Sequence, residues 1–398
     1  MLPDKQGAGE ARNIREVEFA APKAVRRGME APASLKRLLF TALMLCIGLV
    51  GGLLASRIGA PMPFMLGALL LSGMAAVFAG HLFPRGYVFP ARFRLLFIGV
   101  IGVAIGARVD PGILHLGGAF MVSLGAVTLF VVLAQGANYL IFLHLGGLDA
   151  PTAWFSGSPG GLLEALTMGE AAGADLPMLT MLQFLRIIVV VSLLPIGFSI
   201  WNGAPVGSAA GLSAGVNGAD GPGGLALLLA VAAVGAVVGM RLRIPAGQLI
   251  GPLVLAGVLG WSTGVSLGPP GWLMAAAQVV VGVSLGVRFH GVGGALIAKA
   301  LRLSLVSVTS MLAIGAGLAF AVHAQTGLAL DALIIAYAPG GMTEMGLVAI
   351  SLSASPAMVA LHHLYRITIT VIFLSMARRL GVLAGAKQAE PDPHRNDR

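Results

Sequence analysis

Pro159-Gly160-Gly161-Leu162-Leu163-Glu164 and Pro339-Gly340-Gly341-Met342-Thr343-Glu344 stand 180 residues apart. Each interrupts an apolar stretch that cannot pass through Pro-Gly-Gly as one unbroken helix. Working outward, the same displacement of 180 relates Arg186-Ile187 to Arg366-Ile367, and Gly102, Gly106 and Arg108 to Gly282, Gly286 and Arg288. Farther upstream, Gly59 to Gly67 matches Arg243 to Gly251 at a displacement of 184, with Pro61 on Pro245 and Gly67 on Gly251. A common offset over separate segments points to an internal duplication. Repeats of this length, each holding several spans, suit a transporter-like architecture and not a solenoid, whose periods are far shorter.

Composition puts that duplication in a membrane. Of 398 residues, 57% are hydrophobic and 10% charged, and the mean hydropathy is +0.92, which excludes a soluble enzyme and a disordered regulator. Of the 25 Lys and Arg, 8 precede Leu38 and 5 follow Met376, so the long apolar middle carries only 12, with 8 acids. The net charge of +9 therefore reflects tails and loops at membrane spans and not an affinity for nucleic acid. The single cysteine, Cys46, cannot form an intrachain disulfide and reads as a packing residue. The first 36 residues lack the pattern of a cleavable signal and read as a cytosolic tail.

A bilayer core needs roughly 20 apolar residues per helix. In the first half Leu38 to Ser56, Pro61 to Gly80, Leu95 to Ala107, a stretch within Ile113 to Leu145, and Pro177 to Trp201 supply five spans. Between the last two, Ala150 to Gly173 is broken at the Pro-Gly-Gly. The third span is short and requires Arg94 and Arg108 to snorkel. The series restarts at Leu225. The domains are a cytoplasmic tail at 1–36, membrane repeat 1 at 37–203, a linker at 204–222, membrane repeat 2 at 223–380 and a cytoplasmic tail at 381–398.

Loop charge distinguishes parallel from inverted halves. If the broken element crosses the membrane, Arg and Lys in the loops divide 3 inside to 7 outside; if it re-enters, the second half flips and the division becomes 8 to 2. The expected fold is therefore an all-α polytopic membrane protein of two inverted repeats, each with five transmembrane helices and one broken or re-entrant element. Both termini lie on the cytoplasmic side of the inner membrane.

Ionisable groups deep in a membrane are expensive, so the few present are candidates for function. These are Glu164, Glu344, Arg186 and Arg366. Pro159 suits a first helical turn and Ser158 an N-cap, so Pro-Gly-Gly reads as a helix start. Two such starts meeting from opposite sides would present backbone N–H groups and positive dipole ends to an anion. Gly160, Gly161, Gly340 and Gly341 would allow close approach, and Ser156, Ser158 and Thr343 would orient the ligand with hydroxyls. Arg186 and Arg366 would hold a carboxylate. The glutamates have two readings: ion-coupling carriers, or partners of an Arg in the next helix. His362-His363 could relay protons, yet the first half has Leu182-Gln183 there.

Other features are bland. Glu170 and Asp175, facing Ile350 and Ser355 in the repeat, read as a solvated loop, and Arg108 and Arg288 as snorkelling anchors. No phosphate-binding Gly-x-x-x-x-Gly-Lys motif appears, and the remaining histidines are scattered, so neither a cofactor nor a metal is expected.

With the duplication and twin motifs in hand, the sequence resembles the AbrB-type family of Gram-negative membrane proteins with an internal duplication. The resemblance runs from about 38 to 380 and rests on Phe155-Ser156-Gly157-Ser158-Pro159-Gly160-Gly161, Ala338-Pro339-Gly340-Gly341-Met342-Thr343-Glu344 and the trailing arginines. Members are often labelled ammonia monooxygenase or AbrB family regulator, which implies a link to gene regulation or ammonia oxidation. Nothing in these residues supports catalysis, and the small soluble DNA-binding proteins of similar name could not be built from so apolar a chain.

The expected function is that of a secondary transporter or exporter moving a small anionic molecule through a midplane site between the repeats. Its partners would be the lipid bilayer, that small molecule and a second copy of the chain, with no nucleic acid. The alternative is a membrane-embedded sensor that regulates gene expression through a protein partner contacting the basic tails.

Overall fold

The computed structural model describes residues 35–84, 86–109, 117–203, 222–242, 244–265, 267–352 and 354–377. Most of the two tails and of the 204–222 linker lies outside the described residues. Among those described, the chain folds as fourteen α-helices, as an all-α membrane protein requires. In the first half these are α1 (Leu35–Arg57), α2 (Pro63–Phe78), α3 (Ala91–Gly106), α4 (Gly117–Leu140), α5 (Ala150–Ser156), α6 (Leu162–Ala171) and α7 (Leu176–Asn202). The second half has α8 (Pro222–Arg241), α9 (Gly247–Thr263), α10 (Gly271–Gly286), α11 (Gly294–Thr326), α12 (Leu330–Tyr337), α13 (Met342–Ser351) and α14 (Pro356–Ser375). In each half, then, five longer helices accompany one pair of short ones that meet at the Pro-Gly-Gly.

Among the described residues seven helices, against the ten spans expected, are long and apolar enough to cross a membrane: α1, α4 with its terminal π-turn, α7, α8, α10 with its closing turn, α11 and α14. The helices α2, α3 and α9 have 16, 16 and 17 residues. At about 1.5 Å per residue they reach roughly 24 Å, less than the hydrocarbon core. Helix α3 begins at Ala91, so Arg92 and Arg94 lie within its first turn and do not merely flank it. Helix α1 begins at Leu35, two residues inside the segment read as tail. Cys46 is exposed on α1 and so is not the packing residue expected from its apolar neighbours.

Local sequence explains most helix ends. Pro63, Pro151, Pro177 and Pro356 occupy first-turn positions, where the missing N–H costs nothing. Asp149 caps α5 by accepting from Thr152 N at 3.0 Å. Asp175 caps α7 through Met178 N at 3.2 Å, and Ser355 caps α14 through Met358 N at 3.4 Å. Asp175 and Ser355 are counterparts in the two halves, so their shared task is an N-cap and not a solvated loop.

The helices pack as two bundles, and each bundle draws on both halves. In the first, α1 lies on α2, α2 on α10, α8 on α9, and α9 on α3. Glycine makes these crossings possible: a Cβ at Gly51 would collide with the carbonyl of Gly67, and one at Gly251 with that of Gly235. Gly282 and Gly286 meet the α2 backbone, while Gly102 and Gly106 meet that of α9. In the second bundle α4 and α7 pack on α11, α4 on α14, and the short pairs α5–α6 and α12–α13 sit among them. The bundles meet mainly along α3, which packs against α13 and α14.

Candidate functional site

A helix leaves its last carbonyls without intrahelical partners, and inside a membrane protein each orphan costs about 1–3 kcal/mol. Helix α5 ends at Ser156 in such a place, and five consecutive carbonyls there are satisfied by side chains of α4 and α7. Gln135 Nε2 donates to Trp154 O at 2.7 Å and Asn138 Nδ2 to Gly157 O at 3.0 Å. Gln183 Nε2 donates to Phe155 O at 2.8 Å and to Ser156 O at 3.3 Å. The guanidinium of Arg186 donates to Ser158 O.

The second break repeats the plan. The guanidinium of Arg366 donates to Ala338 O and, at 2.8 Å, to Gly340 O. His363 Nε2 donates to Ile335 O at 3.1 Å, a task that Gln183, its counterpart, performs in the first half. The neighbouring ring of His362 is fixed as well. Its Nδ1 faces Met358 O at 2.7 Å and so carries the hydrogen; Nε2 then accepts from Ser123 Oγ at 2.7 Å. Tyr337 Oη lies 2.9 Å from Ser123 Oγ and completes a buried polar cluster between α4, α12 and α14.

Pro-Gly-Gly is therefore a joint between two helices: its second glycine, Gly161 or Gly341, is the N-cap of the helix that starts there, but Pro159 lies outside the first turn. Pro159 and Ser158 precede α6, whose N-cap is Gly161 in the left-handed conformation with φ of 61°. Ser158 does not cap α6; its hydroxyl is buried and accepts from Gln183 Nε2 at 2.8 Å. Proline prevents α5 from continuing, and glycine makes the tight turn into α6. Gly341 is the N-cap of α13.

The glutamates both occupy the third position of a helix. Glu344, 8% exposed, folds its carboxylate back over Gly341, where it faces the positive end of α13. Glu164 holds the equivalent place in α6 and is partly buried, its Oε2 3.4 Å from the position of a Cβ on Gly161. Among the described residues neither glutamate lies within ion-pair distance of Arg186 or Arg366, so the Glu–Arg tie considered as one reading is replaced by arginine-to-carbonyl bonds. The cation whose field reaches Glu344 is Arg94 of α3. Arg288, expected to snorkel, instead lies 4.1 Å from the centroid of the Phe184 ring on α7 and joins the two bundles by a cation–π contact.

The two breaks converge. A Cβ on Gly160 would stand 3.5 Å from Thr370 Oγ1 and 3.7 Å from Arg366 Nε, so the first break lies against α14 of the other half. Arg186 and Arg366 sense one another's charge. Both are buried, at 5% and 1% exposed, and the Nε–H of each has no partner. Ser156 Oγ and Thr370 Oγ1 are also buried and unpartnered, and Thr343 is half-buried on α13. Gly340 lies against the side chain of Met345. Two like charges thus lie buried with spare donors, and among the described residues no carboxylate is within ion-pair distance of either. Chemically, such a pair can hold an anion. Gln135, Asn138, Gln183 and Thr370 were not singled out in the sequence. Their signal was uncharged polar residues inside apolar spans, three apart in Gln135/Asn138 and Gln183/Arg186, which places each pair on one helix face.

Comparison with known proteins agrees with the architecture. The family described as "Transition state regulatory protein AbrB" matches residues 69–381. An Escherichia coli (strain K12) protein named "Putative regulator AbrB" is 26% identical over 282 residues, covering 66% of this chain and 76% of its own. A Bacillus subtilis (strain 168) protein named "Uncharacterized protein YhjN" is 21% identical over 351 residues, covering 84% and 91%.

Proposed function

The chain belongs to the AbrB family, and from its membrane helices and paired breaks we propose that it is a secondary transporter of a small anion through the centre where the two breaks meet. The observation that carries this reading is the pair of buried guanidiniums, Arg186 and Arg366, each with a free Nε–H and with no acidic partner among the described residues. A buried charge without a counter-ion is a cost that a bound anion removes. Ser158 O and Gly340 O accept from these arginines and Gly160 lies against Arg366, and in this reading Ser156, Gly161, Gly341 and Thr343 of the same two breaks complete the site. The halves run in opposite senses across the inner membrane with both termini in the cytoplasm, which puts the basic loops inside. Glu164 and Glu344 are the groups available to carry the coupling proton, since each stands in the first turn of the helix that leaves the joint.

The test is uptake of radiolabelled small carboxylates into proteoliposomes at two pH values, since a monoanion carried with one proton moves no net charge. Wild type shows uptake whose pH dependence Glu344→Gln removes and which Gly160→Leu abolishes by filling the centre. Absence of any response to carboxylates from folded wild type overturns the reading.

A second reading follows from the names of the family and of its Escherichia coli relative, which speak of regulation. In it the same pocket senses the anion, and the signal passes through the basic tails to a partner. Deleting 1–34 and 378–398 distinguishes the two: transport survives the deletion and regulation does not.

A further inference from the structure

The polar groups at the two breaks are only half used. Gln183 spends its Nε2 on carbonyls of the first break, and His363 spends its Nε2–H on Ile335 O of the second. What remains is an acceptor on each: Gln183 Oε1 and His363 Nδ1 are fully buried and have no partner. Because His363 Nε2 faces a carbonyl, it carries the hydrogen, and Nδ1 of the neutral ring is a bare lone pair. Gln183 precedes Arg186 by three residues and His363 precedes Arg366 by three, so each acceptor shares a helix face with an arginine whose Nε–H is also unpartnered. Both faces look onto the breaks, and the first break abuts Arg366 and Thr370.

The inventory is thus two spare donors with positive charge, two neutral acceptors that carry no hydrogen, repeated across unlike side chains, and the hydroxyls of Ser156 and Thr370, which can each donate or accept. A simple carboxylate answers only the donors. It would leave the acceptors buried and unmatched, at a cost that discriminates strongly between ligands.

Resting on the anion reading above, we infer that the ligand is a small carboxylate that also bears a hydrogen-bond donor, a hydroxyl or an ammonium, beside the carboxylate. The arginines take the carboxylate oxygens, and Gln183 Oε1 and His363 Nδ1 take the donor hydrogens. Gln at one position and His at the other both meet this requirement, since each commits its N–H side to the break and keeps an acceptor for the ligand.

The experiment is calorimetric titration of the full-length purified protein with matched acids: propionate against lactate and alanine, and succinate against malate and aspartate. A hydroxy or amino acid is expected to bind at least about tenfold more tightly than the acid lacking the group. His363→Gln keeps both functions of the ring and keeps that preference. His363→Arg keeps donors for Ile335 O but offers no lone pair, and it narrows the preference while the plain acid still binds. Equal affinity within both sets for wild type overturns the donor requirement and leaves the anion site standing. No binding by any of the six overturns both.

Discussion

Gly160 of the first break lies against Arg366 of the second half, so that a Cβ on the glycine would stand 3.7 Å from the guanidinium Nε. This is ordinary van der Waals distance, and Gly160 is not among the glycines of positive φ. Gly160→Ala is therefore expected to fold with stability changed by less than about 1 kcal/mol. Gly160→Leu fills the space between the breaks and abolishes stabilisation by a bound anion. Thermal melts with and without ligand measure both, and unimpaired ligand stabilisation of Gly160→Leu would place the anion elsewhere.

The crossing of α8 and α9 tolerates no side chain. A Cβ on Gly251 would collide with the carbonyl oxygen of Gly235, and two backbones cannot separate cheaply. Gly251→Ala should cost about 1–3 kcal/mol or prevent folding. Gly136, on the open side of α4, has nothing within 4 Å of such a Cβ. Gly136→Ala should be neutral or stabilising by about 0.5–1 kcal/mol, and the pair of melts separates steric exclusion from helix propensity.

Two non-glycine residues have positive φ among those described, Met62 at 44° and Ala246 at 52°, each the N-cap of a short apolar helix in its half. A left-handed conformation costs an ordinary residue roughly 1–2 kcal/mol. Ala246→Gly is expected to recover about 1 kcal/mol of that. Met62 is completely buried, and Met62→Gly forfeits about 2–5 kcal/mol of packing, so the same backbone relief ends in net loss. Opposite signs in denaturation would confirm the account; equal signs would refute it.

Tyr87, between α2 and α3, gives a pH signature. Thr41 Oγ1 donates to Arg37 O at 2.8 Å, so at 2.9 Å the Tyr87 hydroxyl donates to Thr41. Burial pushes the phenol up from its usual range. A raised value for the folded state means that the contribution is complete below about pH 10, where the unfolded phenol titrates, and is lost as pH climbs through the folded value. Tyr87→Phe should cost about 1 kcal/mol at neutral pH and reduce the alkaline loss of stability. Melting temperatures at neutral and strongly alkaline pH decide it.

The membrane class and the location of both breaks were legible in the sequence, whereas of the ten spans expected only seven helices among the described residues are long and apolar enough to cross. Hydropathy is an additive property of segments, and Pro-Gly-Gly interrupts a helix wherever it occurs. The buried arginines were legible too, because charge is rare in such a chain. Their partners were not. Arg186 and Arg366 bond to carbonyls, and a carbonyl is present at every residue, so no pattern of side chains announces it. The interchange of Gln183 and His363 looked like asymmetry by residue type, and only the geometry shows that both donate to equivalent carbonyls of the break, Phe155 O and Ile335 O. Arg94 and Arg288 lay at span ends on paper; their relations to Glu344 and Phe184 depend on how the bundles meet, which spacing along one chain does not encode.

The exchange of helices between halves, α2 onto α10 and α9 onto α3, also dictates how the protein must be made. When the first half leaves the ribosome, the backbone of Met65 and Leu69 has no seat until Gly282 and Gly286 have been synthesised. In lipid, little drives helices together except such close fits, so the early half must wait as loosely associated spans. Neither half can mature as an independent product. Encoding the halves separately gains nothing unless both are inserted side by side, and a chain cut in the 204–222 region should recover its fold only when the two pieces are synthesised in the same cell.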